Sequence, residues 1–240
     1  MNTFASFIIG EMRHKVLLVE DEPNLLYIME QVFTANGYDV LTATNGKQGL
    51  DVYHKYAPEF IITDWMMPIM DGLEFVRRLR LTDKRTPILI LTGKTSEEDA
   101  IEGYESGANS FVRKPFSMKE ILANIDSYFS LSTGCGQPQE TLIFGSSTSL
   151  DPVSETLDIK GKVVQLTNME YSVLETLVRN KNNTVTTASL LSRLWNDDVF
   201  SSANLHVYIS KLRAHLRDDE SLTLLNLRGV GYKLIDSCSR

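Results

Sequence analysis

Phe60-Ile61-Ile62-Thr63-Asp64-Trp65-Met66-Met67-Pro68-Ile69-Met70-Asp71-Gly72 decides the fold. An apolar run of strand length ends on a carboxylate and passes directly into a turn marked by Pro68 and Gly72, which places Asp64 at the carboxyl end of a strand. Outward from it, Val16-Leu17-Leu18-Val19 ends on Glu20-Asp21, Ile88-Leu89-Ile90-Leu91 ends on Thr92, and Phe111-Val112 is followed by Lys114-Pro115. Tyr38 to Ala43 supplies a fifth strand. Helical spacing covers Pro23 to Asn36, Gly46 to Tyr56, Asp71 to Leu81, Ser96 to Ser106 and Ser117 to Phe129. Strands alternating with helices specify an α/β doubly wound, five-stranded parallel sheet. In such a sheet the carboxyl ends of the strands line one crevice, so Glu20, Asp21, Asp64, Thr92 and Lys114 converge there.

These residue types suit a phosphoryl-accepting aspartate. Two carboxylates about 4 Å apart repel by roughly 4 kcal/mol at an effective dielectric near 20, so three acids in one pocket need a counter-charge. Mg²⁺ meets that need, because it binds through one or two carboxylates plus phosphate oxygens while keeping several waters. Lys114 then offers a point charge to one phosphoryl oxygen and Thr92 a hydroxyl to another. A phosphatase with Asp64 as nucleophile is the enzymatic rival, but no second Asp lies two residues after Asp64 and no Walker-type loop precedes Gly46-Lys47, Gly93-Lys94 or Gly161-Lys162.

Residues 131 to 140 lack apolar periodicity and have linker composition. Beyond them, Thr141 to Phe144, Thr156 to Ile159 and Val163 to Leu166 read as short strands. Thr167-Asn168-Met169-Glu170 is a capping box that opens a helix to about Asn180. A second helix spans Thr187 to Trp195 and a third Ala203 to Leu216, with Leu205, Ile209, Leu212 and Leu216 on a buried stripe and Val207, Ser210, Lys211, Ala214 and Arg217 opposite. Leu224 to Leu227 and Arg228-Gly229-Val230-Gly231-Tyr232-Lys233-Leu234 form a hairpin. Three helices and a hairpin make a winged helix-turn-helix of the α+β class. Residues 1–14 read as an N-terminal extension, 15–130 and 141–236 as the two domains, 131–140 as the linker and 237–240 as a tail. Met12 precedes the first strand closely enough to be an alternative start.

Composition sets limits. The chain has 24 basic and 31 acidic residues, a net charge of −7, so bulk positive potential cannot hold nucleic acid. Residues 140 to 240 hold 11 basic and 12 acidic residues, a balance of −1, so any binding field comes from one face. No apolar run reaches membrane-spanning length, and a cytoplasmic location with no membrane partner is expected. Cys135 and Cys238 have neither disulfide nor metal-ligand spacing.

The stretches Leu17-Leu18-Val19-Glu20-Asp21-Glu22-Pro23, Asp64 to Gly72, Leu91-Thr92-Gly93 and Val112-Arg113-Lys114-Pro115-Phe116 resemble, in order and spacing, the receiver domain of bacterial two-component response regulators, which has a flavodoxin-like fold. Residues 141 to 236 resemble the effector domain of the OmpR/PhoB class through Leu166-Thr167 with Glu170, Leu194-Trp195 and Arg228-Gly229-Val230-Gly231-Tyr232. The resemblance implies phosphorylation of Asp64 by a sensor histidine kinase, with Mg²⁺ on Glu20, Asp21, Asp64 and the Met66 backbone. It implies phosphoryl contacts from Thr92 and Lys114 and an aromatic switch at Phe111 that turns inward. It further implies a homodimer on phosphorylation, double-stranded DNA and RNA polymerase as partners, and regulation of transcription rather than enzymatic turnover.

By the same resemblance the third effector helix enters the major groove, with Val207 against a thymine methyl and Lys211 at a guanine edge. Arg213 and Arg217 hold phosphates, Arg228 reaches the minor groove and Trp195 packs in the core. Departures from the class stand at its dimer face, where Ala100, Asn109, Ser110 and Asn124 replace charged residues while Glu120 is kept. At the start of the third effector helix, Ala203 and His206 replace an Arg and an Asp.

Overall fold

The computed structural model describes residues 13–94, 99, 102–103, 105–133, 140–194 and 201–238. The N-terminal extension to residue 12, Ala100, Cys135 and Trp195 lie outside them, as does most of the helix expected over Ser96 to Ser106.

Strands β1 (Lys15–Val19), β2 (Asp39–Ala43), β3 (Phe60–Asp64), β4 (Ile88–Thr92) and β5 (Ser110–Arg113) form one parallel sheet in the order β2-β1-β3-β4-β5. All of β3 and β4 is buried, which explains their unbroken apolar runs, since helices cover both faces. Leu17, Val19, Ile61, Ile88 and Ile90 pack on one face, and Val16, Leu18, Phe60, Ile62, Leu89 and Leu91 on the other. Around the sheet lie α1 (Pro23–Ala35), α2 (Gly46–Tyr56), α3 (Gly72–Arg80) and α4 (Met118–Thr133). Pro23 opens α1, and the Asn45 and Asp71 side chains cap α2 and α3 by accepting from Gln48 N–H and Glu74 N–H. Helix α4 continues to Thr133, so residues 131–133, assigned to the linker from composition, are helical. Their lack of apolar periodicity concealed this extension of the helix.

The second half begins with an antiparallel sheet of β6 (Leu142–Phe144), β7 (Thr148–Asp151), β8 (Thr156–Ile159) and β9 (Lys162–Gln165). Strand β7 was not foreseen: Thr-Ser-Leu-Asp is mostly polar, yet it alternates buried Thr148 and Leu150 with half-buried neighbours. The capping box then forms as expected, Glu170 N–H donating to Thr167 Oγ1 and Thr167 N–H to Glu170 Oε2, and opens α5 (Asn168–Arg179). The two-residue β10 (Val185–Thr186), also unforeseen, leads into α6 (Thr187–Leu194), followed by α7 (Ser201–Leu216). Strands β11 (Leu222–Leu227) and β12 (Gly231–Asp236) form the hairpin, and β10 adds to its edge in the order β10-β12-β11. Val230 N–H closes the turn on Leu227 O, and Gly229 there has φ +74°. On α7 the stripe Leu205, Ile209, Leu212 and Leu216 is buried as its spacing requires.

Candidate functional site: an acidic pocket at the strand ends and a docked helix

The strand ends do converge. Carboxylate oxygens of Glu20, Asp21 and Asp64 lie within 4.8 Å of one another, with Glu20 and Asp64 buried and Asp21 exposed. Asp64 Oδ1 accepts from Trp65 N–H at 2.8 Å, and Lys114 Nζ lies 3.0 Å from Asp64 Oδ2 and 3.1 Å from Glu20 Oε2. Glu20 Oε1 accepts from Glu22 N–H at 3.2 Å, which turns this carboxylate back into the pocket. Gly72 permits the tight return of the loop after β3: its N–H donates to Trp65 O at 2.9 Å, and a Cβ there would meet Asp64 O at 2.1 Å.

The electrostatics follow from this packing. Burial pushes the Asp64 carboxyl up, against the opposing pull of Lys114 and the Trp65 N–H bond. Glu20 is also raised, by burial first and the Asp64 charge second. Burial disfavours the Lys114 ammonium, but its bonds to Asp64 and Glu20 outweigh that and raise it. One ammonium thus compensates three carboxylates incompletely. A hard divalent cation is the complement of such an oxygen cluster, and the donor set fits Mg²⁺ held through Glu20, Asp21 and Asp64.

Thr92 is buried at the end of β4, and its Oγ1 accepts from Lys94 N–H at 3.0 Å. Phe111 is already inward: it is 5 % exposed, its ring centroid lies 6.1 Å from that of Trp65, and a Cβ on Gly103 would meet its ring at 2.3 Å. Met66 is exposed beside the pocket, and Lys94 Nζ sits 4.6 Å above the Trp65 ring and 2.9 Å from Asp99.

The effector helix α7 is arranged differently from the expectation of a free basic face. Val207 and Lys211 are half-buried, and Lys211 Nζ lies 3.9 Å from Glu170 Oε1. Arg213 is exposed in part but donates Nε–H and Nη2–H to Leu224 O at 3.2 and 3.1 Å, which ties it to the hairpin. Arg217 and Arg228 are exposed.

Next to Val207 the helix meets the first half of the chain. Tyr208, on α7, is 1 % exposed and its hydroxyl donates to the receiver-half carbonyl of Ala108 at 2.9 Å. The loop carrying Ala108 is held by Arg80, buried at the end of α3, which donates to Gly107 O (2.9 Å), Thr86 O (2.7 Å) and Asn109 Oδ1 (3.1 Å). Arg85 adds contacts from the same side to Val153 O at 3.3 Å and Glu155 Oε2 at 3.9 Å. Neither Arg80 nor Tyr208 was singled out from sequence, because an Arg in Arg-Arg-Leu-Arg and a Tyr flanking an apolar stripe both read as ordinary helix surface.

Comparison with known proteins agrees with the geometry. Residues 16–126 match the response regulator receiver domain family, and residues 161–234 match the C-terminal domain family of transcriptional regulatory proteins. The transcriptional regulatory protein TrcR of Mycobacterium tuberculosis is 32% identical over 221 residues, covering 92% of this chain and 86% of that one. RprY of Bacteroides fragilis is 32% identical, covering 92% of this chain and 94% of its own. Among solved structures, the response regulator DrrB of Thermotoga maritima, an OmpR/PhoB homolog, aligns with TM-score 0.50 at 25% identity over 93% of this chain and all of that chain, and a RitR mutant with TM-score 0.68 at 25% identity over 92% and 98%. A receiver sheet ending in an acid–lysine pocket, followed by a winged-helix domain, identifies the chain as a member of the OmpR/PhoB class of two-component response regulators, transcriptional regulators rather than enzymes.

Proposed function

We propose that Asp64 accepts a phosphoryl group from the phosphohistidine of a sensor kinase, and that this reaction frees α7 to bind promoter DNA as part of a dimer. The carrying observation is the convergence of Asp64, Glu20 and Asp21 with Lys114 bridging two of the three. Phosphoryl transfer breaks the P–N bond of the donor and forms a P–O bond to an Asp64 Oδ. Glu20, Asp21, Asp64 and the Met66 backbone would hold Mg²⁺, which would supply charge neutralisation at the transferred group. Lys114 exchanges its carboxylate partner for a phosphoryl oxygen, and Thr92 gives up its acceptor role toward Lys94 to donate to another. The modification adds about −1.5 to −2 of charge at the pocket, which both residues move to meet.

The docked helix provides the gate. An α-helix with its side chains is about 10–12 Å across and the major groove about 12 Å wide, so a helix with a domain packed on one flank cannot enter the groove. Tyr208 is on such a flank. Phe111 starts from an inward position, so the transmitted change is movement of the Phe111 to Ala108 region as Thr92 shifts, with loss of the Tyr208 contact. Released effector domains are then paired by their receivers, raising their effective concentration over adjacent half-sites and presenting RNA polymerase with a fixed assembly. Val207 and Lys211 read bases, Arg213 and Arg217 hold phosphates, and Arg228 reaches the neighbouring minor groove.

The decisive experiment incubates the chain with acetyl phosphate and Mg²⁺ and locates the adduct by mass spectrometry. A base-labile phosphoryl adduct on Asp64, absent in Asp64→Asn and after chelation, supports the reading; no adduct, or one elsewhere, overturns it.

A further inference from the structure

Between α7 and the hairpin turn lies a cleft of about 410 Å³ whose lining among the described residues includes Thr187, His206, Asn226, Arg228 and Tyr232, and no acidic side chain. Its walls are fixed relative to one another: Thr187 N–H donates to Val230 O at 3.1 Å, joining the start of α6 to the hairpin turn. Across the cleft the exposed His206 ring meets the buried Tyr232, with Nδ1 3.0 Å from the phenol oxygen and the two rings edge-on at 6.1 Å. Where the Tyr232 hydroxyl donates to Nδ1, the ring proton sits on Nε2, which has no partner among the described residues. A guanidinium, an amide, a hydroxyl and an imidazole thus share one cleft, with no negative charge among its described lining side chains.

We infer that His206, held by Tyr232, is a DNA-contacting residue whose Nε2–H donates to a backbone phosphate seated in the cleft between α7 and the wing, opposite Arg228. This rests on the promoter-binding reading but adds a contact and a positioning residue to it. The phosphate is favoured over a base edge because the cleft lies between the helix and the wing, beside the buried hairpin rather than on the face of α7 opposite the core stripe. Tyr232 acts through His206: it orients the ring and fixes which nitrogen faces the strand.

The test uses the full-length chain activated with beryllofluoride and Mg²⁺, and a duplex that this wild-type protein selects from a random-sequence pool. Affinity and phosphate-ethylation interference are measured on that duplex for His206→Ala, His206→Gln, Tyr232→Phe and Arg228→Ala. His206→Ala is expected to weaken binding about tenfold, the loss of one hydrogen bond to a charged acceptor, and to abolish interference at one phosphate. His206→Gln, which carries an amide N–H at similar reach, restores most of both. Tyr232→Phe weakens binding less and broadens the same interference position, while Arg228→Ala, which removes the minor-groove contact, leaves that interference position in place. Unchanged affinity and an unchanged interference pattern in His206→Ala overturn the inference, as does a loss confined to one base pair of the duplex. A wild-type protein that selects no duplex would instead defeat the promoter-binding reading itself.

Discussion

Tyr208→Phe isolates the gate in a single atom. The ring stays in its buried site between the halves, and only the hydroxyl that donates to Ala108 O is removed. The bond exists only in the docked arrangement, whereas in the released one both groups meet water. Leaving a buried carbonyl without its donor costs about 1–3 kcal/mol, which moves a docked-to-released equilibrium by about 5- to 150-fold. A DNA-binding form that is only fractionally populated lowers apparent affinity by that fraction, so the variant's unphosphorylated form should gain DNA affinity by up to the same factor. The gain should shrink or vanish after activation with beryllofluoride, when the wild type has already released the helix. The assay is duplex binding by fluorescence anisotropy in both states, with limited proteolysis as an independent readout of release. If unphosphorylated Tyr208→Phe binds DNA and digests as the wild type does, the hydroxyl is not restraining α7 and the gating argument fails.

The same geometry sets other outcomes. Asp64→Asn should lose phosphodonor-dependent DNA binding while keeping its thermal stability within about 1 kcal/mol, since the isosteric amide removes the repulsion of Glu20 along with the bond to Lys114; a footprint that still responds to acetyl phosphate contradicts it. Mg²⁺ affinity, read by fluorescence of Trp65 beside the pocket, should rise with pH from about 4 through the raised values of Asp64 and Glu20, because protons compete with the cation for the same oxygens; a pH-independent titration refutes this. Gly72→Ala should impair phosphoryl acceptance more than it lowers the melting temperature, since its Cβ would push on Asp64 O; normal labelling kinetics would show that the loop yields freely. Asp219, 1 % exposed, accepts from Ser146 N–H and Oγ, Thr148 Oγ1 and Ser221 N–H and Oγ, and these bonds overcome burial to hold its carboxyl well below the usual range. Its stabilisation is therefore complete above the ordinary Asp pKa near 3.9 and is lost only as pH falls toward the depressed folded value; Asp219→Asn should cost about 2–4 kcal/mol in urea denaturation at pH 7, and an unchanged midpoint would refute that.

The receiver half was legible because its information is local: an apolar run, then a functional residue at the strand end, repeated along the chain. Parallel sheet geometry then does the assembling, so Glu20, Asp21, Asp64 and Lys114 meet although Glu20 and Lys114 are 94 residues apart. The effector helices and the capping box were legible for the same reason. What sequence did not disclose is whatever depends on a partner that only the fold places opposite. Tyr208 reads as helix surface, and its role appears only once Ala108 is placed opposite it. Arg80 reads as one of several solvated arginines, and only the fold reveals four acceptors waiting for it: Gly107 O, Asp83 O, Thr86 O and Asn109 Oδ1. Strand β7 was hidden because Thr148 satisfies its buried hydroxyl on Asp219, a bond 71 residues long in sequence.

Asn109 connects the departures at the dimer face to the gate. Resemblance to the class expects an acid there for pairing between receivers, yet here Oδ1 accepts from Arg80 Nη2 at 3.1 Å and from Ile88 N–H at 2.8 Å. The position is thereby committed inward, to holding the loop that offers Ala108 O to Tyr208. Asn124 is also turned to its own helix, donating to Glu120 O at 2.9 Å. Exposed ion pairs contribute only about 0–1 kcal/mol each, so replacing them by neutral side chains would weaken the proposed pairing of receivers modestly. A restraint worth one buried hydrogen bond is of comparable or greater size. In a chain of net charge −7 whose effector half has little positive field to offer DNA, regulation can then rest on whether α7 is released as much as on how tightly two receivers pair. Asn109→Asp discriminates between these controls. A carboxylate still accepts from Arg80 and Ile88 N–H, so it should tighten the Arg80 loop and preserve docking; if it instead raises DNA affinity only in the activated state, pairing between receivers is the dominant control and docking is secondary.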